Sequence, residues 1–131
     1  MDNSTLNKGY NGYKLTDQSR DELMRIVDPI HPDVIAHHVT HEFGVYESLP
    51  PAANWVRVIA TASNDKVQAV IVEVNGEMER VQGDSFYHIT ISIDKSAGGK
   101  AVDSNALIKD PSNWTAIMPV DLAVIPVFFN F

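Results

Sequence analysis

Two segments far apart in the chain read as β-strands, and each carries the same triplet: His38-Val39-Thr40 within residues 34–43, and His88-Ile89-Thr90 within residues 86–93. Side chains alternate faces along a strand, so each His and its Thr point the same way, roughly 7 Å apart along the backbone. In the second segment Tyr87, Ile89, Ile91 and Ile93 share one face. That face demands burial and pushes His88, Thr90 and Ser92 towards a cleft or solvent. In the first segment His38 and Thr40 share a face with Val34, Ala36 and Glu42, opposite Ile35, His37, Val39, His41 and Phe43. A fold that sets these segments side by side gathers two imidazoles and two hydroxyls in one cleft.

The rest of the chain reads as a mixed fold. Residues 10–15 suggest a short strand and residues 16–27 a helix. Its N-terminus is marked by Thr16 or Asp17, or by the capping-box spacing Ser19-Arg20-Asp21-Glu22, and it stops before Pro29 and Pro32. Residues 55–62 and 67–74 are Val- and Ile-rich strands, and Asn75-Gly76 signals a two-residue hairpin into a strand over 78–81. Residues 96–99 read as a flexible loop and residues 103–109 as a short helix capped by Asp103 or Ser104. Residues 120–129 read as a last strand in which Pro126 calls for an edge position or a bulge. This order predicts an α+β domain with a curved, mostly antiparallel sheet, one main helix and a central cleft over residues 9–131, after a flexible N-terminus over 1–8. Trp55 and Trp114 are expected to fill the core.

Length and composition narrow the function. A chain of 131 residues with 44% hydrophobic residues can bury one core. It has no cysteine, which excludes disulfides, thiolate catalysis and Cys-based zinc sites and agrees with a reducing cytosol. The first residues lack the basic-then-apolar pattern of a secretory signal, and no apolar run is long enough to span a membrane. The expected location is cytoplasmic. A net charge of −7 makes a long nucleic-acid duplex an unsuitable partner, because duplex binding rests on phosphate neutralisation by Lys and Arg. A small anionic ligand held by local donors fits better.

Paired His-x-Thr triplets suit phosphodiester cleavage. One neutral histidine takes a proton from the nucleophile, the other protonates the leaving oxygen, and Thr hydroxyls donate to non-bridging oxygens. The scheme needs no metal and no cofactor. At these residues the chain resembles the 2H phosphoesterase superfamily, named for its two His-x-Thr/Ser motifs, and the resemblance extends broadly over residues 9–131. The stretches 34–45 and 86–107 look like compact 2H proteins of phages and bacteria, among them RNA-repair-like phosphodiesterases and phage anti-CBASS enzymes that destroy cyclic-oligonucleotide signals. The resemblance implies a two-lobed sheet with the motif strands central in a concave cleft. It also implies metal-independent attack on cyclic nucleotides, 2′,3′-cyclic phosphates at RNA ends or 2′-5′ linkages. His38, Thr40, His88 and Thr90 are the catalytic candidates, and the expected partner is a small nucleotide or cyclic oligonucleotide.

Further residues are weighed around them. Among Tyr10, Tyr13 and Lys14, an aromatic ring can stack on a base and the lysine can meet a phosphate; Tyr13 and Lys14 are the substrate-binding candidates, with Tyr87 as cleft wall and Ser92 on the His88 face. His37, His38 and His41, with Glu42 and His31 nearby, could be read as a metal site. Strand alternation sends His38 away from the other two, which disfavours convergence and leaves His37 and His41 as structural or orienting groups. Ser96-Ala97-Gly98-Gly99-Lys100 lacks the spacing of a triphosphate loop and is at most a mobile lid. A non-catalytic protein that sequesters a nucleotide is the alternative outside enzymes; retention of both His and both Thr favours catalysis.

Overall fold

The computed structural model describes residues 6–82 and 85–131. The chain runs β1 (Lys8–Leu15), α1 (Asp17–Ile26), β2 (Asp33–Val34), β3 (His38–Tyr46), β4 (Trp55–Ser63), β5 (Val67–Val74), β6 (His88–Ile93), α2 (Asp103–Lys109) and β7 (Thr115–Asn130). The strands hydrogen-bond in the order β2-β6-β3-β1-β7-β4-β5, and β5 pairs again with β6. All these pairings are antiparallel. The α+β, mostly antiparallel reading therefore holds. The curved sheet closes on itself, which the sequence reading did not specify: six strands form a barrel, and β2 attaches to the outside edge of β6. Closure leaves those six strands without a continuous open edge.

The hydrophobic alternation decides which side faces in. Val39, Ile89, Ile91, Val70, Val72, Val58 and Leu122 form the interior with Tyr13. Leu23 and Val27 of the α1 region join that interior cluster. Thr16 is the N-cap, its hydroxyl accepting from the Ser19 amide. The Ser19 capping box is not used; the Ser19 hydroxyl is buried and accepts from the Ala123 amide, pinning α1 to β7. A second cluster, including Ile71, Ile93, Leu107 and Ile108, forms where α2 packs on the outer side of β4, β5 and β6. The barrel wall beside α2 is thus covered on both faces, which explains why β5 is buried along nearly its whole length.

Several local expectations are corrected. Lys8 belongs to β1 rather than the flexible N-terminus, and β1 starts two residues before the expected Tyr10, while residues 1–5 of that expectation lie outside the described residues. The single strand over 34–43 is broken after Val34, where Ala36 takes φ 43°, a left-handed conformation uncommon for a residue with a Cβ. The strand then continues to Tyr46, beyond the expected end at Phe43. Asn75 and Gly76 both have positive φ and Val74 and Glu77 exchange both backbone hydrogen bonds, the geometry of the expected tight hairpin. Residues 78–81 make only isolated pairing, Glu79 with Phe86. Trp55 is 60% exposed, against its expected place in the core. Trp114 packs against the α2 cluster and donates from its indole to the Ile108 carbonyl.

Pro126 sits in a 16-residue β7 whose two halves use opposite edges. Residues 124–130 pair with β1 and residues 115–123 with β4, so the proline lies where one edge carries no ladder. The 96–100 segment is a hydrogen-bonded turn: Gly98 has φ 82°, and the Gly99 amide donates to the Asp94 carbonyl.

Candidate active site

β3 and β6 run side by side with Val39 opposite Ile89, both fully buried in the barrel. About that pair, antiparallel geometry sets His38 beside Thr90 and Thr40 beside His88, all four on the outer face. The two histidines lie on a diagonal, for which roughly 7–8 Å between backbone positions is typical. All four side chains line one cavity of about 370 Å³ between this outer face and the start of α2. α2 contributes Asn105 together with the preceding Ala101 and Val102; Tyr10 and Phe43 form the opposite wall, and Arg80 and Ile35 complete the lining.

Two backbone devices build this face. A bulge at His41 lets Asn11 oppose Glu42 and Gly12 oppose Thr40, adding one residue to β3 between Thr40 and Phe43. Phe43 therefore returns to the Thr40 side, against the alternation expected from sequence. His41 turns inward, 4% exposed, where its Nδ1–H donates to Asn11 Oδ1; the same oxygen accepts from the Glu42 amide. The kink at Ala36 is the second device. Arg20 of α1 donates to the Ala36 carbonyl, and the Ala36 amide donates to Thr90. With the strand broken there, His37 no longer opposes His38: the two Nδ1 atoms meet at 3.0 Å, with rings edge to face. The three histidines do not converge, and among the described residues no group of three His, Asp or Glu side chains is arranged to hold a metal ion.

Hydrogen bonding fixes how the histidines present themselves. His88 Nδ1 is 2.9 Å from the Phe86 carbonyl, which can only accept, so Nδ1 carries a proton. His38 is packed against Phe129 and Tyr10 with ring centroids 4.9 and 5.6 Å away. Burial, then the neighbouring His37 and His88, push its pKa down to about 4, so it is neutral at physiological pH. Burial and the charges of Lys14 and Arg20 also lower His37. The Thr90 hydroxyl shares a hydrogen bond of 2.8 Å with the Ser104 hydroxyl of α2. Ser104 is therefore a tether between helix and barrel rather than a cap, while Asp103 accepts from the Lys100 amide.

The four expected substrate-binding residues do not gather here. Tyr13 is fully buried inside the barrel, its hydroxyl donating to the Pro51 carbonyl. Tyr87 is buried on the interior side, stacked on His41. Ser92 is fully buried and donates to Gln68 Oε1, a structural role at the β5–β6 seam. Lys14 is exposed and opposes His38 on β1, on the correct face but outside the cavity lining. Tyr10, Phe43, Arg80, Val102 and Asn105 occupy the places those residues were expected to fill. For Tyr10 a signal existed: it alternates with Tyr13, which shares the face of buried Leu15. No signal in the sequence marks the bulge that re-aims Phe43.

No family model, curated protein or solved structure matches the chain.

Proposed function

We propose that the protein is a metal-independent phosphodiesterase acting on a small nucleotide or cyclic-oligonucleotide signal, with the phosphate held over the His38–Thr90 and Thr40–His88 pairs. The observation that carries this reading is that both His-x-Thr triplets line one cavity with Arg80. A phosphate there meets hydroxyl donors, a cation and two imidazoles.

The division of labour follows from the lowered pKa of His38 and the hydrogen bond of His88. His38, neutral in its half-buried position, acts as the base. Its proton sits on Nδ1, donated to His37 Nδ1, and its Nε2 takes the proton of the attacking hydroxyl. The nucleophile oxygen bonds to phosphorus as the bond to the leaving oxygen breaks. His88 protonates that leaving oxygen from Nε2, its charge stabilised by the Nδ1–H bond to the Phe86 carbonyl. Thr40 donates to a non-bridging oxygen, and Thr90, steadied by Ser104, does the same. The net charge of −7 and the small cavity favour a compact ligand over a polymer.

The direct test is incubation with cyclic di- and trinucleotides, 2′-5′ oligoadenylate and RNA bearing a 2′,3′-cyclic phosphate, with products resolved by chromatography. Cleavage of a cyclic nucleotide is the expected result. Cleavage of RNA ends alone moves the substrate to RNA repair. Tight binding without any product makes the protein a sequestering one.

A further inference from the structure

The wall of the cavity opposite α2 is aromatic in a way that holding a phosphate does not require. Tyr10 and Phe43 stack with centroids 5.8 Å apart and planes 21° from parallel. Phe129 lies 4.8 Å from Tyr10 at 23°, so the wall is braced from behind. Yet Phe43 is 58% exposed, and Val102, across the cavity, is 64% exposed. Two large apolar surfaces thus face water on opposite sides of a polar floor, an arrangement whose exposed area is stabilised when something flat and apolar enters. Within the same lining, Asn105 Oδ1 is buried and has no hydrogen-bond partner among the described residues.

We propose that the slot between the Tyr10–Phe43 wall and Val102 is a nucleobase subsite, in which one base of the substrate stacks while its phosphate reaches the two histidines; only the position of the phosphate rests on the phosphodiesterase reading. An aromatic face opposite an apolar side chain is how flipped and single-stranded bases are commonly gripped. The volume sets the scale: about 370 Å³ is at the low end of small-molecule sites, roughly 300–1,000 Å³. The protein therefore grips a single nucleoside unit and its phosphate, and the remainder of a larger ligand stays outside.

Calorimetric titration of the whole protein with ribose 5-phosphate, adenosine and AMP tests this. AMP is expected to bind about tenfold or more tightly than ribose 5-phosphate. Phe43→Ala should remove most of that difference while leaving ribose 5-phosphate unaffected, and Phe43→Trp should restore it; thermal melts check that both variants fold. Equal affinity for AMP and ribose 5-phosphate overturns the proposal, as does unchanged AMP binding in Phe43→Ala, or no binding of any of the three. The two readings fail separately. If adenosine binds through Phe43 while no phosphodiester is cleaved, the base subsite stands and the catalytic reading falls. If base-free ribose 2′,3′-cyclic phosphate is cleaved as fast as its adenosine counterpart, catalysis stands and the base subsite falls.

Discussion

The Nδ1 atoms of His37 and His38 stand 3.0 Å apart, and only one of them can hold the proton between them. If His38 is the base, His37 is the acceptor that keeps the His38 proton on Nδ1 and its lone pair on Nε2. His37→Ala should then lower kcat by about tenfold, less than loss of His38 itself. It also removes a neighbour that helps depress the His38 pKa, so the acid limb of the pH–rate profile should move to higher pH. His37→Asn, whose carbonyl can accept the same proton, should recover much of the rate. An unmoved acid limb in His37→Ala would show that the contact does not set the state of His38.

Substitution of either motif histidine should be more severe. His38→Gln and His88→Gln are each expected to reduce turnover by about 10²–10⁴. Thr40→Val and Thr90→Val should cost less, since each removes one phosphate donor, and Thr90→Val additionally loses its bond to Ser104, about 1 kcal/mol of stability. Activity should persist in excess EDTA. Loss on chelation with recovery on adding zinc or manganese would replace the two-histidine mechanism with a metal one.

The legible parts of this fold were those governed by local periodicity. The strand over Val67–Val74 and the Asn75-Gly76 turn follow from alternation and turn chemistry and occur where expected; α2 also occurs where expected, but its N-cap is Val102 with no side-chain cap, not Asp103 or Ser104. Alternation about Val39 and Ile89 also put both triplets on outward faces. What could not be read depends on distant partners. Ala36 holds a positive φ because Arg20 and Thr90 bind its carbonyl and amide, and nothing in Ile35-Ala36-His37 announces that. The bulge at His41 depends on Asn11 from another strand accepting two hydrogen bonds. Ser92 lies on the His88 face by alternation, yet its neighbour across the seam is Gln68, where the β5–β6 register shifts. Barrel closure is likewise a pairing of β5 with β6 that periodicity alone does not specify.

Gly12 links the barrel to the site. It faces Thr40 across the β1–β3 ladder, and a Cβ at this position would lie 2.1 Å from the Val39 carbonyl oxygen and 3.1 Å from Thr40 Cα. The obstruction is backbone, so the strands must separate to admit a methyl group. Gly12→Ala should destabilise the fold by about 3 kcal/mol, the upper part of the usual overpacking range. Displacing Thr40 should also lower activity in the fraction that remains folded. Chemical denaturation with activity measured at saturating substrate checks both. A variant as stable and as active as the parent would mean that β1 and β3 do not approach this closely.

The lowered pKa of His38 has a signature in stability. Its pKa is about 4 in the native protein against an ordinary 6.5. Between those values the unfolded chain binds a proton that the native protein refuses, so stability rises with pH across this window. Its contribution is complete above about pH 6.5, is lost progressively as pH falls to about 4, and changes no further below that. The loss is on the order of 3 kcal/mol at most. Lowered pKa values at His37 and His41 act in the same direction. Urea midpoints at pH 7.5 and pH 5 should therefore differ clearly in the parent and by less in His38→Gln, which has no imidazole to protonate at that position. Equal pH dependence in the two proteins would mean that His38 titrates normally in the fold, and its assignment as the neutral base would lose its physical ground.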